Sequence, residues 1–420
     1  MLIIDIYGVA MKKVYKILLL SIVLISLISP LISYASINEI SPDKADDIIP
    51  VTASVEAKMD LKSLSAILME GSTGTIIYEK DADERLRPAS ITKVMTLLLI
   101  FEALEEGKIN LMDDVTVSEH AASMGGSQVY LEPYEVQNVD TMIKCISIAS
   151  ANDASTAMAE YIDGSEEEFV AHMNRRAKEL GMNNTNFINA CGLDVDNHYS
   201  SARDVAIMSR ELITRYPQIS NYATVWMDTI IHTTRKGQSE FGLTNTNKLV
   251  RFYEGATGLK TGSTGLAKYC LSATAKKNDM DLIAVIMAAP DTKTRFAEAT
   301  KLLNYGFANH SIYQDDNSDL IIEPVDVLRG VLDQVSGKPE ESFSYLCSKG
   351  KSQENIRKEL VMLENVEAPI TNEDIIGEII YYYDNEKIGS VNILASEAID
   401  QAKFKDCFIK AIRRFFLDVK

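Results

Sequence analysis

Hydrophobic and polar positions divide the chain into stretches of different texture. Regular patterning begins at residues 65–69 (Ser-Ala-Ile-Leu-Met), a β-type run. Gly71, Ser72, Thr73 and Gly74 turn it into a second run at residues 75–78, which predicts a hairpin. Pro88 suits the first turn of a helix that runs to about Glu106 and stops at Gly107. Residues 94–101 are apolar nearly all round, so that helix is predicted to be central and buried. Helical patterning resumes over residues 139–162, broken around Ser150. It continues from Glu166 to a glycine stop at Gly181, and again over residues 205–213. Strand character returns at residues 268–275 and 282–287, and a helix over about residues 293–307 closes the region. Paired strands at each end of a helical middle predict one α+β domain, a mostly antiparallel sheet covered by helices, over residues 58–318.

Beyond Asp319 the texture changes. Two strand-like runs, residues 378–383 and 388–394, flank the turn Asp384-Asn385-Glu386-Lys387. They predict a small separate β domain over residues 319–398, with an appended hairpin as the alternative. Residues 399–420 then read as an amphipathic helix. Phe404, Phe408, Ala411, Ile412 and Phe415 form one stripe, while Lys405, Lys410, Arg413 and Arg414 lie mostly off it.

The N-terminus reads as an export signal. Lys12, Lys13 and Lys16 precede an apolar run at residues 17–28, and Ser33-Tyr34-Ala35 fits a small-x-small cleavage site. The expectation is a signal peptide over residues 1–35, with Met11 the better start, followed by a polar, acidic linker over residues 36–57. An uncleaved anchor is the alternative, since residues 17–34 are nearly long enough to span a bilayer.

Composition narrows the function classes. The 420 residues are 46% hydrophobic and 24% charged, with 10 prolines, which is ordinary for a globular chain. Forty-two Lys and Arg against 60 Asp and Glu give a net charge of −18. Such a surface is a poor partner for nucleic acid or an anionic bilayer, so membrane contact requires a local basic exception. The tail is one. Five scattered cysteines with no C-x-x-C spacing read as buried free thiols, and 5 histidines with no H-E-x-x-H pair give no metal site. No cofactor is expected.

Chemistry enters with three short strings in order, Ser90-Ile91-Thr92-Lys93, Ser150-Ala151-Asn152 and Lys260-Thr261-Gly262. Each alone is weak: S-x-x-K recurs at Ser41 and Ser348, and S-x-N at Ser36 and Ser390. The ordered set, spaced by about 60 and then about 110 residues, carries the information. On a helix, residues three apart share a face, which puts the Lys93 amine beside the Ser90 hydroxyl. A serine needs a neighbouring base, and a lysine becomes one when burial or a second cation lowers its pKa. Lys260 is the natural second cation, and the helix dipole favours charge at Ser90. Strand alternation sends Lys260 and Gly262 to one face and Thr261 to the other, and Gly262 would let a ligand approach the backbone. The bland alternatives are a capping Ser90 with a snorkelling Lys93, an N-cap at Ser150, and a strand-end turn at Gly262.

The three strings, together with Met124-Gly125-Gly126-Ser127, Leu131-Glu132-Pro133, Asn245-Thr246-Asn247-Lys248-Leu249 and Gly258-Leu259-Lys260-Thr261-Gly262-Ser263-Thr264, resemble the D-alanyl-D-alanine carboxypeptidases. These are the low-molecular-mass penicillin-binding proteins, and the texture is closest to their sporulation-associated subgroup. Ala151 departs from the glycine of many relatives. The resemblance implies a penicillin-binding, β-lactamase-like transpeptidase domain that shortens peptidoglycan stem peptides. Ser90 would attack between two D-alanines, Lys93 take its proton, and Ser150 help deliver a proton to the departing D-alanine. Asn152 would hold the substrate amide, Lys260 supply positive charge, and Thr261 and Thr264 meet the terminal carboxylate. The oxyanion hole would be the backbone N–H groups of Ser90 and Ser263, each worth ~3–4 kcal/mol. β-Lactams would be covalent inhibitors, and the tail would hold the exported enzyme on the outer face of the cytoplasmic membrane. The alternatives are a β-lactamase, for which Glu179 is a superficial deacylating candidate, a peptidoglycan endopeptidase, and a catalytically silent wall-binding protein.

Overall fold

The computed structural model describes residues 59–417 apart from Lys236, with side chains as far as Ile412 in the last helix. The predicted leader and linker, residues 1–35 and 36–57, lie outside the described residues. Five antiparallel strands form the central sheet: Ser65–Glu70, Ile76–Lys80, Ala256–Thr264, Lys268–Lys277 and Met280–Ala289. The first hairpin occupies one edge, and Ala256–Thr264 is the other. Side-chain alternation divides the core between the two faces. Ile67, Met69, Ile283, Val285 and Met287 join the helical side, whereas Ala66, Leu68, Leu282, Ala284 and Ile286 meet the helix Thr292–Asn309. Because both faces are covered, the middle strands read as continuous apolar runs rather than alternating ones.

The predicted nucleophile helix is divided. Ala89–Thr92 forms a 3₁₀ turn, and the α-helix begins at Lys93 and ends at Glu105. Residues 93–103 are all buried, as the all-round apolar run predicts. The break near Ser150 separates helices Val139–Ile148 and Asn152–Asp163. Glu166–Glu179 and Ala202–Arg215 complete the long helices of this side.

The β region takes in more chain at both ends than the pattern predicts. His310–Asp315, within the stretch read as catalytic domain, pairs with Phe343–Ser348. Ile399, read as the start of the tail helix, is buried in the β core and bridges Ile370. Both segments are short, and neither shows its pairing in its own composition. Ile375–Tyr383 and Glu386–Ala395 form the predicted hairpin, closed by a two-residue turn with Asp384 at φ 52°. The helix itself runs over Phe404–Leu417. Phe404 is 86% and Phe408 57% exposed, their rings stacked on one another. Lys410, off the apolar stripe, donates to the Gly330 carbonyl at 2.8 Å and pairs with Asp333 at 2.6 Å. Among the described residues, no helix is long and apolar enough to cross a membrane.

Four cysteines, Cys145, Cys191, Cys270 and Cys347, are buried free thiols as predicted; Cys407, on the tail helix, is exposed instead.

Candidate active site

The 3₁₀ turn brings Ser90 and Lys93 together, because residues three apart eclipse in that geometry. The Lys93 Nζ lies 3.1 Å from the Ser90 Oγ. It also donates to the Asn152 Oδ1 at 2.6 Å and to the Cys191 carbonyl at 2.7 Å. The first two strings therefore meet at one amine. Complete burial pushes the Lys93 amine down to about 8, against smaller upward pulls from Cys191 and Asp153. Two residues next to the reacting groups, Ala89 at φ 49° and Ser150 at φ 62°, hold left-handed backbone without being glycine.

Asn152 is fixed from both ends. Its Nδ2 donates to the Gly125 carbonyl at 2.6 Å, and its backbone N–H donates to the Ser127 carbonyl at 2.7 Å. This explains why Met124-Gly125-Gly126-Ser127 accompanies the catalytic strings: a Cβ on Gly126 would lie 2.9 Å from the Asn152 amide nitrogen. Ser150 is not the N-cap of the helix; Ala151 holds that position. The Ser150 Oγ is buried and makes no hydrogen bond.

The third string lies on the edge strand Ala256–Thr264, packed against the 3₁₀ turn. A Cβ at Gly262 would stand 2.8 Å from the Pro88 carbonyl and 3.0 Å from the Ser90 nitrogen. The glycine thus admits the protein's own nucleophile turn beside the strand. The Lys260 amine is buried, 3.3 Å from the Thr261 carbonyl. Burial holds it well below the ordinary lysine range, with Lys93 and Arg295 adding to the effect. The Thr261 hydroxyl meets that of Thr246 at 2.6 Å. Asn245 and Asn247 pin the loop carrying Thr246, Asn247 by donating to the Gly258 carbonyl at 2.7 Å. The Thr264 hydroxyl accepts from the Ala267 N–H at 2.9 Å, shaping the turn after the strand, and keeps its own O–H to donate. Ser263 is exposed.

Several contributors were not visible in the strings. Arg295 donates from the closing helix to the Gly262 and Cys270 carbonyls at 3.1 and 3.2 Å. With the Gly262 carbonyl drawn to Arg295, the Ser263 N–H across the same trans peptide points the other way. Gly192, at φ 87°, has the Ala89 carbonyl 1.9 Å from where a Cβ would stand, so no larger residue fits against the nucleophile turn. His198 accepts from the Ile188 N–H through Nδ1 and contacts the Thr92 hydroxyl at 2.8 Å through Nε2, bracing the same turn. Arg295 reaches the Gly262 carbonyl from 33 positions away and His198 reaches Thr92 from 106, and no local pattern announces them. Glu179 is 53% exposed and pairs with Arg176, away from the Lys93 cluster.

Comparison with known proteins agrees with this geometry. Residues 51–291 match the Peptidase S11 family model, D-alanyl-D-alanine carboxypeptidase, and residues 307–401 match the C-terminal domain of penicillin-binding protein 5. The D-alanyl-D-alanine carboxypeptidase DacF of Bacillus subtilis is 45% identical over 340 residues, covering 81% of this chain and 86% of its own. DacC of Escherichia coli is 32% identical over 367 residues, covering 84% and 89%. The crystal structure of penicillin-binding protein 5 from Haemophilus influenzae superposes with a TM-score of 0.68 at 31% identity, covering 82% of this chain and 99% of that one. With the serine–lysine–asparagine cluster assembled and both regions matched, the chain belongs to the S11 family of D-alanyl-D-alanine carboxypeptidases.

Proposed function

We propose that this chain is a serine-type carboxypeptidase that removes the terminal D-alanine from peptidoglycan stem peptides. The observation that carries the reading is the buried Lys93 amine, 3.1 Å from the Ser90 hydroxyl and brought down to about 8. An amine with that pKa is partly neutral at physiological pH and serves as a base. It takes the Ser90 proton as Oγ bonds to the carbonyl carbon between the two D-alanines. The oxyanion that forms lies between the N–H groups of Ser90 and Ser263. The C–N bond then breaks, and a proton passed through Ser150 leaves with the D-alanine amine. Water adds to the Ser90 ester, returning the hydroxyl proton and releasing a peptide one residue shorter.

Asn152 orients the substrate amide in this reading, and Lys260 with Thr261 receives the terminal carboxylate. An arriving carboxylate raises the pKa of the depressed Lys260 amine, so its charge appears when substrate is bound. Thr264 is the second carboxylate contact in this reading, since its hydroxyl accepts from Ala267 and still has its own proton to donate. The placement of Glu179 favours slow deacylation, and hence lasting inhibition by penicillin, over β-lactamase turnover.

The tail helix is the membrane attachment in this proposal. What supports it is the exposed stripe of Phe404, Phe408 and Ile412 on a chain whose net charge is −18. An exported enzyme held peripherally on the wall side of the cytoplasmic membrane fits this stripe and the leader motif. Membership of the sporulation-associated subgroup rests on the sequence texture.

The test is to incubate purified protein with a peptide ending in D-Ala-D-Ala and to measure free D-alanine, with Ser90→Ala as control. Release by the parent and none by the variant is expected. Release by both would remove Ser90 from the reaction.

A further inference from the structure

A neutral lysine amine has two N–H bonds and one lone pair. At Lys93 two oxygens compete for the hydrogens, the Asn152 Oδ1 at 2.6 Å and the Cys191 carbonyl at 2.7 Å. When both are satisfied, the lone pair is left facing the third neighbour, the Ser90 Oγ at 3.1 Å. The direction of the base thus depends on where those two oxygens sit. Asn152 is a side chain anchored on Gly125. The other oxygen is main chain, so its position belongs to the loop that carries it.

One side chain organises that loop. The Asn189 Oδ1 accepts from three successive N–H groups, those of Cys191 at 3.3 Å, Gly192 at 2.6 Å and Leu193 at 3.1 Å. It also lies 3.6 Å from the Cys191 sulfur. The Asn189 Nδ2 donates to the Leu193 carbonyl at 3.0 Å, closing the turn. Three N–H groups drawn to one oxygen curl the backbone and push the intervening carbonyls outward, the Cys191 carbonyl among them. Neighbouring contacts hold the base of the loop: Thr96 donates to the Ala190 carbonyl at 2.6 Å, and the Ala190 N–H donates to Glu166 at 2.9 Å. Thr96 thereby holds the Ala190–Cys191 peptide; the next one, which carries the Cys191 carbonyl, is held from the Gly192 N–H side by Asn189, with Lys93 itself on the carbonyl.

We propose that Asn189 is a positioning residue for acylation, which aims the Lys93 lone pair at Ser90 by fixing the Cys191 carbonyl. This rests on the reading of Lys93 as the base. Asn189→Ala removes the shared acceptor, lets the loop relax and frees the amine to rotate. A misdirected base costs rate in the covalent step and leaves recognition of the ligand unaffected.

The test uses the full chain and a chromogenic cephalosporin, separating the pre-covalent dissociation constant from the first-order acylation constant by stopped flow. Final adduct stoichiometry is read by intact mass. Asn189→Ala is expected to lower the acylation constant roughly 10- to 100-fold, with the dissociation constant and the final stoichiometry unchanged. Asn189→Asp keeps an acceptor for the three N–H groups and is expected to restore most of the rate at alkaline pH. Its carboxylate raises the Lys93 pKa, so its pH profile should move upward. A merely structural residue would instead lower the stoichiometry and leave the rate constant of the folded fraction intact; that outcome overturns the inference. Should the alanine variant fail to fold, Asn189→Gln decides, since it carries the same amide one methylene further out and displaces the shared acceptor: acylation at the parental rate refutes the proposal. Lys93→Arg, measured alongside, separates the two readings. If it acylates at near-parental rate the base assignment falls and this inference with it; if it is dead while Asn189→Ala is unimpaired, only the inference about Asn189 falls.

Discussion

Lys93 combines complete burial with three polar contacts, and its pKa of about 8 has a direct kinetic consequence. Only the neutral amine accepts a proton, so acylation should rise with pH through an acid limb centred near 8 and level off above it. Rates of penicillin acylation between pH 6 and 10 check this, and a limb centred below 7 would contradict it. Lys93→Arg should abolish acylation although the charge is kept, since guanidinium stays protonated; intact mass after prolonged exposure to penicillin reads the outcome. Ser150 offers the opposite trade. Its buried hydroxyl makes no hydrogen bond, so Ser150→Ala removes a desolvated polar group and should stabilise the fold by ~1 kcal/mol. The same change should slow D-alanine release by roughly 100-fold, within the range of general acid–base contributions. Paired melting curves and D-alanine assays would show the two effects moving in opposite directions.

At the scale of elements, close approach of the edge strand Ala256–Thr264 to the turn Ala89–Thr92 is what assembles the site. Gly262→Ala places a methyl 2.8 Å from the Pro88 carbonyl and 3.0 Å from the Ser90 nitrogen, neither of which can swing aside as a flexible side chain could. The strand must shift outward, at a cost of about 1–3 kcal/mol in stability and a larger loss in acylation. Denaturant melts and acylation rates measure the two separately, and an unimpaired variant would mean that strand and turn slide freely. The elements themselves were largely legible beforehand. The all-round apolar run at residues 94–101 predicts a buried helix, and the turn at Asp384 predicts the hairpin that forms. What could not be read is pairing over long range. Nothing in residues 310–315 says that their partner is Phe343–Ser348, and nothing near Arg295 says that it braces the Gly262 carbonyl. Periodicity reports which side of an element is buried, whereas these contacts depend on which distant backbone arrives there. The glycine of the third string shows the same limit: its smallness was legible, but what fills the space beside it was not.

For the molecule as a whole, the boundary between β region and tail decides how the membrane proposal is tested. Ile399 is buried in the β core and Ala402 donates to the Arg329 carbonyl at 2.7 Å, so a chain ended at 398 would lose part of its sheet. Ending it after Lys403 removes the helix and spares those contacts. That truncated protein should keep its D-alanine release and lose co-sedimentation with anionic liposomes, whereas the mature full-length form should sediment. Retained binding after truncation, or none before it, would remove the helix from the attachment. Exposure of Cys407 gives the helix a second use. The other four thiols are buried, and burial pushes each of them up, away from the reactive thiolate form. Among the described residues the native protein therefore presents a single exposed thiol, placed at the margin of the aromatic stripe. A polarity-sensitive dye attached there under native conditions would label one position without any engineered cysteine. Its emission would move to the blue as the helix settles among lipid headgroups, and stay where it was if the stripe remained in water.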